Sequence, residues 1–321
     1  MGRIRDLETQ IRDLVTHYRF THVLLQDLVN ANVVWSALDA IGDTQLAIDN
    51  YQSLDGKDHA GFNYLAVYGV LQIFYVQQDA VWDLFESLDI PITEFGADIT
   101  EVREARNKAT GHPTRREGSK KKGIPPSSHF ISRPTLSLAG FQLMSAIGGT
   151  TTQFADIRIF DLLKKQEEGI VRLLELVVRE LHKREEEHKM KFKGKSVTSV
   201  FPDQLSYYFE KVFEGTTSVS SGRWEWGRAH VDLLLDIVAK LRQAFVERAL
   251  LPASDGIEHE LQATEYPIQK LKRYYDSAPD NTLSNKDAYI YAFYIRHQFE
   301  ELKKLAKAVD EEFQTDEGEV T

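Results

Sequence analysis

Cysteine is absent from this 321-residue chain, and methionine occurs 3 times and proline 9 times. Without thiols there is no disulfide, no thiolate nucleophile and no cysteine-ligated zinc or iron–sulfur centre. The absence suits a reducing compartment, and a cytoplasmic location is expected. A run of about 18 uninterrupted apolar residues is lacking too, so no membrane span and no membrane partner are expected. The richest stretch, Phe62 to Leu88, is broken by Gln72, Gln77, Gln78, Asp79 and Asp83 and reads as a buried core helix. The opening residues, MGRIRDLETQIRDL, form a charged amphipathic segment rather than a signal peptide. There is no Walker-type loop, dinucleotide fingerprint or serine nucleophile elbow. Gly148-Gly149 precedes threonines without a lysine and reads as a hairpin turn.

Positive charge is scarce overall, with a formal net of −10. That balance argues against a surface that grips nucleic acid everywhere. Between Glu101 and Arg133, however, nine Lys or Arg face three Glu, a local net of +6. Residues 196–321 carry 14 basic against 22 acidic residues, a net of −8. A focused basic patch on an acidic body suits a local anion such as a phosphate backbone. The other reading is a solvated loop around Lys120 to Lys122, and the sequence leaves the two open.

Helical periodicity dominates. Ile4, Leu7, Ile11, Leu14, Val15 and Tyr18, then Val23, Leu24 and Leu28, recur at helical spacing across residues 4–31. Further helices are expected from Trp35 to about Leu54, from Phe62 to Leu88, over residues 98–110 and from about Ile159 to Phe192. Residues 127–157 are rich in β-forming residues and read as a small β-hairpin or meander inserted beside the bundle. The charged end of the long helix, His182 to Lys189, is expected to project into solvent. Lys193 to Ser196 is the expected linker. Helices then recur near Phe201–Glu214, Gly227–Ala249, Glu265–Asp276 and Lys286–Phe313. The chain is thus expected to be mainly α: a bundle domain over 1–195 and a C-terminal helical region over 196–321, either a separate domain or extra helices on the first.

One short phrase carries chemistry: Arg106-Asn107-Lys108-Ala109-Thr110-Gly111-His112-Pro113. It puts an arginine in the last turn of a helix and a histidine just past the Gly/Pro stop. A permanent cation beside an imidazole that titrates near neutrality suits phosphodiester cleavage. The plain alternative is a helix end whose cations complement the macrodipole. The phrase RNKATGHP resembles the signature of HEPN-domain proteins, in which an Arg and a polar residue precede a His by a few positions. The resemblance covers roughly residues 1–195. It implies an antiparallel helical bundle that pairs with a second copy and cuts RNA without metal or cofactor. Arg106, Asn107 and His112 would be catalytic. Arg103, Lys108, Arg115, Arg116, Lys120, Lys121 and Lys122 would extend the RNA contact. A toxin or defence role, with an antitoxin or regulatory protein as partner, also follows only from that resemblance. The alternatives are a non-catalytic HEPN-like interaction or scaffold protein and a nucleotide-binding regulator.

Other clusters read more plainly. Gln77-Gln78-Asp79 either orients the motif from a neighbouring helix or, the preferred reading, marks an exposed stripe. His182 and Glu186 lie four apart with His188 nearby, but no third ligand is apparent and they read as a charged face, not a metal site. Trp224, Trp226, Tyr207, Tyr208, Tyr274, Tyr275, Tyr291 and Tyr294 read as core rather than base-stacking residues.

Overall fold

A computed structural model describes residues 2–17, 27–55, 60–111, 113–114, 125–148, 151–217, 224–251, 254–276 and 283–314. The chain is mainly helical with one small antiparallel sheet. It divides into two compact units, whose described residues fall within 2–16 and 27–182, and within 17 and 183–314. Among the described residues no helix is long and apolar enough to cross a membrane.

The first unit holds α1 (Arg3–Thr16), α2 (Leu28–Gln52), α3 (Ala60–Ser87), α4 (Ala97–Arg106), strands β1 (Ser127–Ile131), β2 (Gly140–Ile147) and β3 (Thr151–Arg158), and most of α5 (Ile159–Phe192). The periodicity over residues 4–31 does not describe one helix. Helix α1 stops at Thr16, and α2 starts afresh at Leu28, where the Asp27 side chain accepts from the Val29 and Asn30 N–H groups. Such a carboxylate cap satisfies donors that a continuous helix would not leave free. Leu28, counted with the apolar stripe by spacing, is exposed.

Helices α2 and α3 make the most extensive helix pair of this unit. Val67, Val70, Leu71, Phe74, Val81 and Leu84 bury one face of α3, each worth roughly 1.5–3 kcal/mol of burial. The helix is not buried all round: Leu65 is 73% exposed, and Phe62, Tyr68 and Val76 also face solvent. The expected β insertion is a three-stranded meander in the order β1-β2-β3, every pairing antiparallel. Gly148, at φ +59, begins the β2–β3 connection in the left-handed region that glycine enters freely. The apolar side of the sheet (Phe141, Leu143) and the start of α5 (Ile159, Leu162, Leu163) share one core with Val102, Ala105 and Ala109.

The second unit is built from the end of α5 with α6 (Leu205–Thr217), α7 (Trp224–Glu247), α8 (Asp255–Asp276) and α9 (Asn285–Gln314). The charged end of α5 does not simply project into solvent. Lys189 is buried, and His188 lies 3.2 Å from the Arg248 carbonyl oxygen and packs on Phe192 and Phe313. The arginine stacks over those same two rings, so long charged side chains here cover apolar surface with their stems. Helix α8 begins ten residues before the expected Glu265, at Asp255, and runs through Pro267. Burial of Leu261, Ile268 and Leu271 along one face outweighs the lost hydrogen bond. The C-terminal aromatics divide: Tyr274 and Tyr275 are core, whereas Tyr207, Trp226 and Tyr294 are exposed.

Asp310 on α9 ties down the turn after α5. It accepts from Ser196 Oγ at 2.6 Å, from the Val197 and Thr198 N–H groups at 2.6 and 2.9 Å, and from Thr198 Oγ1. Burial pushes its carboxyl up, but these donors outweigh burial and hold it below the usual carboxylate range. A depressed folded pKa adds stability at pH values above the unfolded value of about 3.9. That stability is lost as pH falls through the folded value. Asp310→Asn is therefore expected to flatten the acid side of the stability profile of the second unit. Urea melts from about pH 6 to pH 3 would show it; parallel profiles for parent and variant would sink the assignment.

Candidate functional site

Helix α4 carries Ile99, Val102 and Ala105 inward at helical spacing and then changes pitch. Residues Asn107–Gly111 form a π-type turn, which fits one more residue per turn than an α-helix and is frequent at functional sites. The expected helix over 98–110 is therefore α-type to Arg106 and π-type from Asn107 to Gly111. Thr110 Oγ1 donates to the Arg106 carbonyl at 3.1 Å. The wide turn brings Gly111 onto Arg106: a Cβ built on Gly111 would stand 2.7 Å from Nη1 of that arginine.

The Arg106 guanidinium is held on three sides by neutral groups. Its Nε and Nη2 donate to Gln72 Oε1 at 3.3 and 2.8 Å, and its Nη1 donates to Asn107 Oδ1 at 3.0 Å. Its Cζ lies 4.2 Å from the Tyr75 ring centroid. No carboxylate pairs with it among the described residues, and it is half-buried. Three of five N–H donors are engaged, which leaves two and a full charge for an anion. Arg103, one turn earlier, is also 4.2 Å from the Tyr75 centroid, but it is ion-paired with Asp79 at 2.8 Å. Two arginines thus share one aromatic ring, and among the described residues only Arg103 has a counterion.

Arg103 also reaches a chain of core amides. Its Nη1 donates to Gln78 Oε1 at 3.4 Å, Gln78 Nε2 to Gln166 Oε1 at 2.8 Å, and Gln166 Nε2 to Gln77 Oε1 at 2.9 Å. Gln77 Nε2 then donates to Gln45 Oε1 at 3.3 Å, and Gln45 Nε2 to Asp49 Oδ1 at 2.7 Å. Every donor points the same way, from a guanidinium to a carboxylate, so each bond polarises the next. This corrects the stripe reading of Gln77 and Gln78, both 0% exposed. Asp79 alone of that cluster reaches the surface.

Lys108 lies apart from Arg106 and lines a cavity against the sheet. His112, Arg115, Arg116, Lys120, Lys121 and Lys122 lie outside the described residues. The neighbours of His112 in the chain are both fixed. Gly111 sits against Arg106, and the Pro113 carbonyl accepts from the His129 N–H at 2.6 Å.

Spacing did not single out Gln72, Tyr75 or Gln166 as parts of this site. The available signal was amides interrupting an otherwise apolar helix, since a buried amide demands partners. Among the described residues no group of three or more His, Asp or Glu could hold a metal ion. The arrangement can bind an anion at Arg106 and offers Asn107 as a second polar contact. Compared with known proteins, the chain matches no family model, no curated protein and no solved structure.

Proposed function

We propose that the chain is a HEPN-type endoribonuclease that cleaves RNA without metal, using Arg106, Asn107 and His112. The observation that carries this reading is the Arg106 guanidinium, oriented by Gln72, Asn107 and Tyr75 yet paired with no carboxylate among the described residues. In the reaction the ribose 2′-oxygen bonds to phosphorus and the bond from phosphorus to the 5′-oxygen breaks. His112 accepts the 2′-hydroxyl proton, and an imidazolium returns a proton to the leaving 5′-oxygen. Arg106 bears the charge that gathers on the phosphoryl oxygens, and Asn107 holds the phosphate or the imidazole in place. The products are a 2′,3′-cyclic phosphate and a 5′-hydroxyl. Arg103, Lys108, Arg115, Arg116 and Lys120 to Lys122 are the further backbone contacts in this reading.

The same reading calls for a second copy facing the motif. A groove of ≈ 550 Å³ between α2 and α3 supports it, because Gln72 and Tyr75, which hold Arg106, also line that groove beside Val29 and Val76. Val29 is 73% exposed. Val29→Glu is expected to convert a homodimer to monomers and to cut activity with it, and sedimentation velocity on both proteins decides that. A cytoplasmic toxin or defence effector, restrained by a protein partner, is the biological setting that accords with this chemistry.

The deciding experiment incubates mixed cellular RNA with the protein in EDTA and maps the new termini. Cyclic phosphates from the parent, lost in both Arg106→Ala and His112→Ala, are the expected result. Equal background in all three removes the nuclease reading and favours a non-catalytic interaction protein, for which the exposed Tyr207, Trp226, Phe293 and Tyr294 offer a surface.

A further inference from the structure

The cavity beside Lys108 rests on other observations than those that carry the nuclease reading. Helical spacing puts Glu101, Glu104, Ala105 and Lys108 on the face of this segment opposite Arg103 and Arg106. Beneath that face lies a space of ≈ 620 Å³ whose floor is the sheet, a size usual for small-molecule sites. The strand register sets His129, Ser145 and Gln153 in one row across the floor, and Leu143 with Ala155 in the next. Ile157 and Leu162 complete an apolar wall.

His129 is 3% exposed and stands between two hydroxyls, with Nε2 3.0 Å from Ser127 Oγ and Nδ1 2.8 Å from Ser145 Oγ. A neutral imidazole has one N–H, so it donates to one serine and accepts from the other. The accepting serine keeps its O–H, and the donating serine keeps lone pairs. Both serines line the cavity, so beyond the imidazole their hydroxyls hold donor and acceptor capacity for a ligand there. Gln153, the cross-strand neighbour of Ser145, adds a carboxamide with a donor and an acceptor side by side. A flat apolar wall next to this polar row suits a planar ring.

We propose that this cavity binds a small planar ligand with a cyclic amide edge (a lactam, imide or ureide), its N–H and C=O paired with Gln153 and its other polar atoms with Ser127 and Ser145. The site is wired to the motif segment. Its roof includes Ala105 and Lys108, and the backbone N–H of His129 holds Pro113. Occupancy therefore stiffens the chain on both sides of residue 112.

The test titrates the full chain calorimetrically with uracil, hypoxanthine and 2-pyridone. The control is 1,3-dimethyluracil, which keeps ring and carbonyls but lacks the N–H. At least one of the three amides is expected to bind, and the dimethyl control to bind about tenfold more weakly than uracil. Gln153→Ala and Ser145→Ala should each weaken binding roughly five- to tenfold. Ala155→Trp, on an exposed sheet position, should obstruct the floor and abolish binding with the far-UV circular dichroism unchanged. Should that variant misfold, Gln153→Ala still decides. Uridine beside uracil distinguishes a nucleoside from a free heterocycle as the source, and tighter binding of either sustains the amide edge. No binding of any amide up to about 5 mM, equal binding of the dimethyl control, or parental affinity in Gln153→Ala would each overturn the proposal.

Discussion

Arg106→Ala is expected to slow RNA cleavage by about 10²- to 10³-fold, the usual cost of removing one preorganised donor from a developing oxyanion. The expectation rests on how the guanidinium is held. Gln72 occupies its Nε–Nη2 edge and Asn107 its Nη1, while Tyr75 supports its plane. None of these partners carries a charge, so the described residues orient the cation without neutralising it. Arg106→Lys should recover little, because an ammonium cannot accept that planar support and grip a phosphate at two points at once. Gly111→Ala supplies a sharper test. Its Cβ would fall 2.7 Å from Nη1, at the flexible end of a side chain, so the fork moves while the fold stays. Activity should fall nearly as far as in Arg106→Ala with the melting temperature little changed. The measurement is turnover of a fluorogenic RNA in EDTA beside a thermal melt. Parental turnover in Arg106→Lys would remove the bidentate role.

The largest stability effect is expected at Gln166. It donates to Gln77 Oε1 and to the Phe74 carbonyl and accepts from Gln78, all in the core. Gln166→Leu matches the volume but strands buried polar atoms on two neighbouring glutamines. At about 1–3 kcal/mol for each stranded group, a loss of roughly 3 kcal/mol follows, or a fall of about 6–12 °C for a unit of this size. The direction can be inverted. Gln77→Leu, Gln78→Leu and Gln166→Leu together remove donors and acceptors at once, and the triple variant should be more stable than the single one. Calorimetry that resolves the transition of the first unit would show the order. A neutral single variant would mean the chain of amides is not closed in solution.

Much of the local structure was legible before any coordinates. The bounds of α5 were visible around an apolar face that runs from Ile170 to Leu181, and the sheet was visible as β-forming residues between short turns. What stayed hidden has one cause: periodicity reports which face is apolar, and says nothing of what covers it. Leu28 fits the stripe of α1 in register but belongs to the next helix, because the cap at Asp27 decides where a helix restarts. Lys189 and His188 look like a solvated face, yet Lys189 is buried and His188 packs against Phe192, Phe313 and the Arg248 carbonyl. No pattern within residues 182–189 encodes that partner.

The motif divides the same way. Composition and spacing alone placed Arg106 at a helix end, Asn107 beside it and a concentration of positive charge around them, since these are properties of neighbours in the chain. Only the tertiary structure decided that Arg103 would be neutralised by Asp79 and Arg106 would not, that Gln77 and Gln78 would be core, and that Ser127, His129 and Ser145 would meet across two strands. Those outcomes depend on which helix packs against which. Contacts between residues 24 to 89 positions apart are set by burial of the whole apolar surface at once, and no local window of sequence contains that sum.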